Sequence, residues 1–345
     1  MKKIFKVIGK VILYLLLFTT LLIGFIVISR KVNQSKIDET ELAYKTHPKL
    51  SEINKMSPEN IGVIRRKFIG DNIRGYHHIP NDIRHKGVVI TFGGSEGSAN
   101  DNMAYYLASD GYEVISVYYF GQKEQPGSVV EVPLELYEEI YSYVIENCQN
   151  PDTITLLGAS KGAQLALLLS TYYDTIDNVV LFAPSSYITG SSFYAEVSPW
   201  TYEGKELEYL NGNIGVVQLF NRIISVLTNN PVDQLKAMNA QLKNSTNLEE
   251  SRIKVENSNT KILIFYGEDD RAIDAKRYSN IIKEYAKSEV IIHGYANTGH
   301  SFGAPTISMN NNISSGLNGG DIDSNIEAYI DSKRILLETL ELWHK

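Results

Sequence analysis

The chain is 345 residues long, with 43% hydrophobic residues and a formal net charge of −7, which suits one large domain with a buried core plus an appendage. The negative balance provides no basic field for phosphate backbones, so nucleic acid is not expected as a partner. With one cysteine, Cys148, the chain can form neither an intrachain disulfide nor a metal site built on paired cysteines.

The first predicted element is a membrane-spanning helix. Residues 11–29 read VILYLLLFTTLLIGFIVIS and carry no charge, close to the roughly 20 residues that a helix needs to cross hydrocarbon. We therefore predict an anchor over residues 1–30. A cleaved signal peptide is the alternative, although the apolar run is long for one and no small-x-small pattern precedes Arg30.

The charges around that helix predict its orientation. Lysines at positions 2, 3, 6 and 10 precede it, whereas Arg30 and Lys31 after it are soon joined by acidic residues. This bias favours a cytoplasmic amino terminus and an extracytoplasmic location for the rest of the chain. Residues 31–59, polar and with little periodicity, are predicted to be a stalk that leads to a folded domain over residues 60–345.

The folded domain is predicted to alternate strands and helices. It opens with a hairpin at residues 61–79, around Gly70-Asp71-Asn72. Apolar runs typical of buried strands follow at 87–92, 113–119, 153–157, 178–182, 261–266 and 289–293. Segments of helical periodicity lie at 100–110, 133–147, 161–173, 274–287 and 323–343. This alternation predicts an α/β fold with a mostly parallel sheet and helices on both faces.

Two further features lie outside that alternation of strands and helices. Residues 185–259 are too many for an ordinary loop and are predicted to be an inserted cap. Within the cap, Trp200, Tyr202 and Tyr209 are expected either to line an apolar site or only to pack the cap onto the core. Cys148 follows a helical run and is expected to be a small buried group rather than a nucleophile.

The motif G-x-S-x-G occurs at Gly158-Ala159-Ser160-Lys161-Gly162, between the apolar run ITLL and the helical run AQLALLL. A sharp turn between strand and helix exposes the serine in a strained conformation, and its neighbours must be small for the two elements to close up. The helix amino terminus also offers backbone donors at that point. Such a turn can be purely structural, but the flanking strand and helix favour Ser160 as a nucleophile.

A serine nucleophile needs a base, which this type of fold supplies later in the chain. Three histidines follow Ser160: His293, His300 and His344. His293 lies in an apolar strand pattern and His344 is the penultimate residue, whereas His300 lies in a polar loop directly after the last predicted strand. His300 is therefore the predicted general base.

The predicted acid and oxyanion donors also lie at strand ends. The strand at 261–266 runs into Gly267-Glu268-Asp269-Asp270, and Asp270 is favoured over Asp269 because the third residue past the glycine usually faces the histidine. The backbone amides of Lys161 and Gly94 are predicted to form the oxyanion hole, although the glycines at 93 and 94 also suit a simple tight turn.

Several stretches resemble the α/β-hydrolase domain shared by acyl-CoA thioester hydrolases and bile acid-CoA:amino acid N-acyltransferases. They are FGGSEG (92–97), YYFG (118–121), VPLELYEE (132–139), GASKGAQLALLLS (158–170), FAPSS (182–186), WTY (200–202), GEDD (267–270) and TGH (298–300). In that family the serine, the second aspartate of GEDD and the histidine of GH form the catalytic triad. The resemblance thus implies Ser160, Asp270 and His300.

The chain departs from that family in ways that limit the inference. Only about thirty residues separate the apolar run from the hairpin, which leaves no room for the family's usual amino-terminal β-sandwich, and Ile273 stands where the family has a tryptophan. The transferases use cysteine where this chain has Ser160, so hydrolysis of an acyl ester or thioester is the leading interpretation. Transfer to an amine or alcohol and a catalytically silent binding module are the alternatives. No cofactor is expected, and the sequence leaves the oligomeric state open.

Overall fold

A computed structural model of the chain describes residues 2–53, 62–190, 197–230, 234–301 and 319–345. Its strands are β1 Val63–Ile69, β2 Arg74–Pro80, β3 Val88–Phe92, β4 Glu113–Tyr118, β5 Val132–Pro133, β6 Ile154–Ala159, β7 Asn178–Phe182, β8 Trp200–Tyr202, β9 Lys205–Glu206, β10 Lys261–Gly267 and β11 Val290–Tyr295. Its α-helices are α1 Lys2–Thr46, α2 Pro48–Ile53, α3 Asp101–Ser109, α4 Leu136–Asn147, α5 Lys161–Leu169, α6 Val216–Thr228, α7 Gln234–Asn244, α8 Leu248–Ser251, α9 Ala275–Tyr285 and α10 Ile322–Trp343.

Eight strands form one sheet in the order β1-β2-β4-β3-β6-β7-β10-β11. The hairpin β1–β2 is antiparallel and joins β4 in antiparallel fashion, while every pairing from β4 to β11 is parallel. The prediction of a mostly parallel sheet is therefore confirmed. The parallel strands all point their carboxyl ends to one edge, where the loops after β3, β6, β10 and β11 meet.

The central strands are buried on both faces, which explains their continuous apolar sequences. All five residues of β3, VVITF, and all five of β7, NVVLF, are buried. Helices α4, α5 and α9 cover one face, and α3 and α10 cover the other. The sheet therefore provides a rigid base on which the loops at its carboxyl edge can hold side chains in place.

The segment predicted to be a cap, residues 185–259, has secondary structure of its own, although its residues 191–196 and 231–233 lie outside the described ranges. Strands β8 and β9 join β5 in a separate small sheet, and helices α6, α7 and α8 follow. Trp200 is fully buried against this junction, and the ring of Tyr202 packs 4.6 Å from that of Tyr172. Both aromatic side chains thus pack the segment onto the core.

The amino-terminal helix is longer than the sequence predicts. Helix α1 is long and apolar enough to cross a membrane, and its apolar side chains from Ile4 to Ile28 are largely exposed. It continues without a break to Thr46, so residues 31–46 of the predicted stalk are helical. The carboxyl end of α1 packs onto the domain, because Tyr44 contacts Ile326 of α10, as does Leu50 of α2. Residues 54–59 of the predicted stalk lie outside the described ranges.

Candidate active site

Ser160 lies on a sharp turn between β6 and α5. Its backbone angles, φ 54° and ψ −112°, are unusual for a residue with a side chain, and its amide donates a 2.8 Å hydrogen bond to the carbonyl of Phe182. A Cβ at Gly158 would collide with the carbonyl of Gly162, and a Cβ at Gly162 would collide with that of Gly93. The two glycines of the motif are therefore required by close backbone approach.

The structure brings three of the residues predicted from sequence into one hydrogen-bonded chain. His300 Nε2 lies 2.9 Å from the Oγ of Ser160, and His300 Nδ1 lies 2.8 Å from Oδ2 of Asp270. The other oxygen of Asp270 accepts the amides of Ala272 and Ile273 at 2.8 and 3.0 Å. The carboxylate is thus held with one oxygen facing the imidazole ring.

The alternative candidates for the acid and the base contact other groups. Asp269 accepts the amide of Gly320 at 2.8 Å and lies beside Arg271. His293 stacks on Phe265 within the sheet, and His344 contacts Thr155 Oγ1 and the carbonyl of Lys86, both at 2.7 Å. In the described structure these three side chains make their contacts away from Ser160.

The loop that carries His300 is held by residues that sequence reasoning missed. The amide of Gly299 donates to Oδ1 of Asn325 at 2.8 Å, and Nδ2 of Asn325 donates to the hydroxyl of Tyr44 at 2.8 Å. Asn325 and Tyr44 are both buried. Tyr44 comes from α1 and Asn325 from α10, so no local sequence pattern could have linked either residue to His300.

Glu96 is another residue that the sequence did not single out, although it belongs to the FGGSEG stretch. Burial opposes protonation of His300, but the charge of Asp270 and its hydrogen bond, together with the charge of Glu96, outweigh it and raise the pKa of His300 above its usual value. The environment therefore favours the imidazolium that forms when the ring accepts a proton from serine.

The predicted oxyanion donors lie close to Ser160, with one unexpected contact. Lys161 is the first residue of α5, and Gly94 lies so near Ser160 that a Cβ on Gly94 would be 3.3 Å from the Cβ of Ser160. However, the amide of Gly94 donates a 2.9 Å hydrogen bond to the carboxylate of Glu96. The hydroxyl of Tyr119 holds this loop by donating to the carbonyls of Gly93 and Gly94 at 3.1 and 3.2 Å.

The side chain of Lys161 makes contacts that the sequence did not predict. Its Nζ donates to the carbonyl and the hydroxyl of Thr189 at 2.6 and 2.9 Å and to Oε1 of Gln164 at 2.9 Å. Gln164 also accepts the indole N–H of Trp200 at 3.0 Å. Burial lowers the pKa of Lys161 to about 7. These contacts fasten the start of the 185–259 segment to the helix that follows Ser160.

A separate polar cluster lies at the opposite end of the sheet. His77, Glu113 and Cys148 place one possible ligand atom each within 4.8 Å of one another. Their polar atoms already have partners, because His77 Nε2 lies 3.3 Å from Glu113 and Glu113 accepts the amide of Gln149 at 2.8 Å. Burial raises the pKa of the Cys148 thiol to about 12, which fits a small unreactive group.

The sheet order, with a strained serine on the turn after β6, defines the class as an α/β hydrolase. Solved structures agree on the fold. An esterase from Pyrobaculum calidifontis matches with a TM-score of 0.53 at 14% identity, covering 91% of this chain and 92% of the esterase. An acylaminoacyl peptidase from Pyrococcus horikoshii matches with a TM-score of 0.52 at 14% identity, covering 82% of this chain and 42% of the peptidase.

Within that class the family is clear from sequence comparison. The profile described as "BAAT / Acyl-CoA thioester hydrolase C terminal" matches residues 132–331, more than half of the chain, so the chain belongs to this family. The family resemblance predicted from the sequence is thereby confirmed.

Curated relatives agree with that assignment. Human acyl-coenzyme A thioesterase 6 is 25% identical over 231 residues, covering 66% of this chain and 51% of the relative. Mouse acyl-coenzyme A amino acid N-acyltransferase 1 is 23% identical over 250 residues, covering 71% of this chain and 55% of the relative. The chain thus spans about half the length of the curated relatives it matches.

Proposed function

We propose that the chain is a serine hydrolase that cleaves an acyl ester or thioester through an acyl-enzyme on Ser160. The observation that carries this proposal is the hydrogen-bonded chain Ser160–His300–Asp270, with distances of 2.9 and 2.8 Å, at the carboxyl edge of the sheet. A serine hydroxyl becomes a nucleophile when a positioned base takes its proton, and this arrangement supplies such a base.

In the first half-reaction, Ser160 Oγ attacks the acyl carbonyl while its proton passes to His300 Nε2. Asp270 keeps Nδ1 protonated and stabilises the resulting imidazolium. The tetrahedral intermediate then collapses, and His300 returns the proton to the departing alcohol or thiol. The acyl group remains esterified to Ser160.

In the second half-reaction, His300 takes a proton from water, and the hydroxide equivalent attacks the acyl-serine. Collapse of this second intermediate releases the carboxylic acid and returns the proton to Ser160. The amides of Lys161 and Gly94 are suited to stabilise the oxyanion in both steps. For Gly94 to do so, its amide has to break its hydrogen bond to the Glu96 carboxylate and donate to the substrate oxygen instead.

Water is the proposed acceptor, with acyl transfer to an amine or alcohol as the second enzymatic alternative, because thioesterases and N-acyltransferases both occur among the relatives. The two differ in product: adding an amino acid or an alcohol to the reaction yields a new amide or ester only if transfer operates.

Active-site labelling tests the nucleophile without a known substrate. We expect a fluorophosphonate probe to modify Ser160, to fail on Ser160→Ala, and to modify the control Ser95→Ala, which alters an exposed serine in the neighbouring FGGSEG loop. Equal labelling of the wild type and Ser160→Ala would contradict the proposed nucleophile. Absence of labelling in folded wild-type protein would favour the silent binding module.

We further propose that α1 is an uncleaved anchor, with residues 60–345 as the catalytic domain and 185–259 as its cap. The lysines before the apolar run support a cytoplasmic amino terminus and an extracytoplasmic domain. An acyl substrate outside the cytoplasm is then favoured over CoA thioesters. Protease added to intact cells should digest the domain and leave a small anchored fragment, whereas full protection until lysis would place the active site inside and favour acyl-CoA.

A further inference from the structure

Helix α6 turns its apolar side chains away from the protein. Its exposed residues include Val216, Val217, Phe220, Ile223 and Val226, with exposed fractions between 47% and 83%. In a water-soluble domain the opposite arrangement is normal, because an amphipathic helix buries its apolar face against the core.

One polar face of α6 points inward instead. Gln218, Arg222 and Ser225 recur every three or four residues and are half-buried, as is Asn229 directly after the helix, so they share one face, whereas Asn221 is exposed. Arg222 is the only charged residue between Glu208 and Asp233. A large exposed apolar patch with its polar face covered marks a surface that contacts an apolar partner.

The position of α6 indicates which partner this is. Helix α6 packs against α1, where Nδ2 of Asn33 donates to the carbonyl of Thr228 at 2.9 Å and Nδ2 of Asn229 donates to Oε1 of Gln34 at 2.7 Å. Asn33 is four residues, or about 6 Å, beyond the uncharged apolar run that ends at Ser29.

The covered face of α1 extends toward that apolar run. Ile26 and Ser29 of α1 are half-buried and lie on the same side as Asn33, which shows that the covered face of α1 continues into the apolar run. Helix α6 has 13 residues, about 20 Å, which is too short to span a bilayer but long enough to lie in its interfacial layer.

We propose that the exposed face of α6 inserts into the membrane that α1 crosses, so that the enzyme takes its acyl substrate from the lipid phase. The second half of this statement rests on the proposed hydrolase function. Helix α7 follows α6 in the sequence, and the amide of Leu235 in α7 donates at 2.7 Å to the carbonyl of Arg271, the residue next to Asp270. The membrane-facing helix is therefore connected to the active-site loops.

Depth-dependent quenching tests the membrane contact in the full chain. In a Cys148→Ala background, one new cysteine is introduced, either Phe220→Cys or Leu342→Cys, and is labelled with an environment-sensitive fluorophore. Each labelled protein is reconstituted in phosphatidylcholine vesicles that contain spin-labelled lipid. Both side chains are 62% exposed, but Leu342 lies near the end of α10 that is far from α1. We expect the spin-labelled lipid to quench the fluorophore at position 220 at least about threefold more strongly than the fluorophore at position 342.

Two results would overturn the contact. Equal weak quenching at the two positions would mean that α6 faces water. The label at position 220 could instead show blue-shifted emission without lipid quenching. If that blue shift disappeared when the protein was diluted in the vesicles, a second copy of the chain would cover α6.

Activity tests the substrate class separately. Phe220→Ser/Ile223→Ser protein is compared with wild type and with the control Leu342→Ser, on a water-soluble short-chain ester and on a long-chain acyl ester dissolved in the vesicles. We expect the double variant to lose about tenfold or more on the dissolved ester and to stay within about twofold on the soluble one. Equal losses on both would overturn substrate entry from the lipid phase. A wild type inactive on both esters and on the corresponding thioesters would instead refute the proposed hydrolase, while the quenching result would still decide the membrane contact.

Discussion

Helices α5 and α6 are both rich in apolar residues, yet they occupy opposite environments. In α5, every residue from Gly162 to Leu169 is buried between the sheet and its neighbours. In α6, Thr228 is buried, while the valines, leucines and isoleucines before it are exposed. Apolar composition therefore predicts that a helix will avoid water, but it does not say whether protein or lipid covers its apolar side chains.

The difference follows from what each helix packs against. Helix α5 lies against β3, β6 and β7, whose side chains are apolar on that face, and its amino end positions Ser160. Helix α6 places its polar face on the protein and leaves the apolar face outward. We propose that the first helix supports catalysis by rigidity and that the second supports it by access to lipid.

The largest expected effect lies at the amino end of α5. Replacing Ser160 or His300 by alanine should lower the turnover rate by about 10⁴- to 10⁶-fold, because the two residues act as one unit in forming the acyl-enzyme. Kinetics on a soluble ester, with circular dichroism to verify folding, measure this. Phe220→Ser, on α6, is the control and should leave that rate nearly unchanged. A comparable loss of turnover in Phe220→Ser would contradict the proposal that the two helices have different roles.

The neighbouring aspartates offer a sharper version of the same contrast. Asp270→Asn should lower the rate by about 10³- to 10⁴-fold, since an amide neither fixes the histidine tautomer nor stabilises its cation. Asp269→Asn should cost far less, because Asp269 accepts a hydrogen bond from Gly320 rather than from His300. The reverse order of damage would mean that Asp269 is the acid.

Stability should separate the two helices as clearly as activity does. Leu165→Ala in α5 removes a fully buried side chain and should lower the free energy of unfolding by about 2–5 kcal/mol. Phe220→Ala in α6 should change it by less than about 0.5 kcal/mol in the absence of lipid. Denaturant unfolding of the two variants in the same mild detergent measures both; a large loss for Phe220→Ala would show that α6 packs against protein.

The smallest expected effect concerns pH. Activity requires neutral His300, so a raised pKa places the rise in activity at higher pH than an ordinary histidine would. Glu96→Gln removes one of the charges that raise this pKa and should shift the rise to lower pH. The exposed Glu268→Gln is the control and should leave the profile in place. A shift to higher pH in Glu96→Gln would contradict the assigned charge interaction.

The sequence by itself determined the parallel sheet, because apolar runs at strand length alternated with segments of helical period. It also selected Ser160 from the G-x-S-x-G motif, and His300 and Asp270 from their positions after later predicted strands, because strand ends meet at one edge of a parallel sheet. These predictions depend on local patterns and on topology, both of which can be read along the chain.

Only the tertiary structure decided what lies beside those residues. The support of the His300 loop by Asn325 and Tyr44 joins residues 281 positions apart, and the contact between Glu96 and the Gly94 amide depends on how one loop turns. The packing of Tyr44 against α10 and the packing of α6 against α1 were likewise decided only by the tertiary structure. Such contacts are set by chain segments meeting in space, for which a single sequence carries no periodic signal.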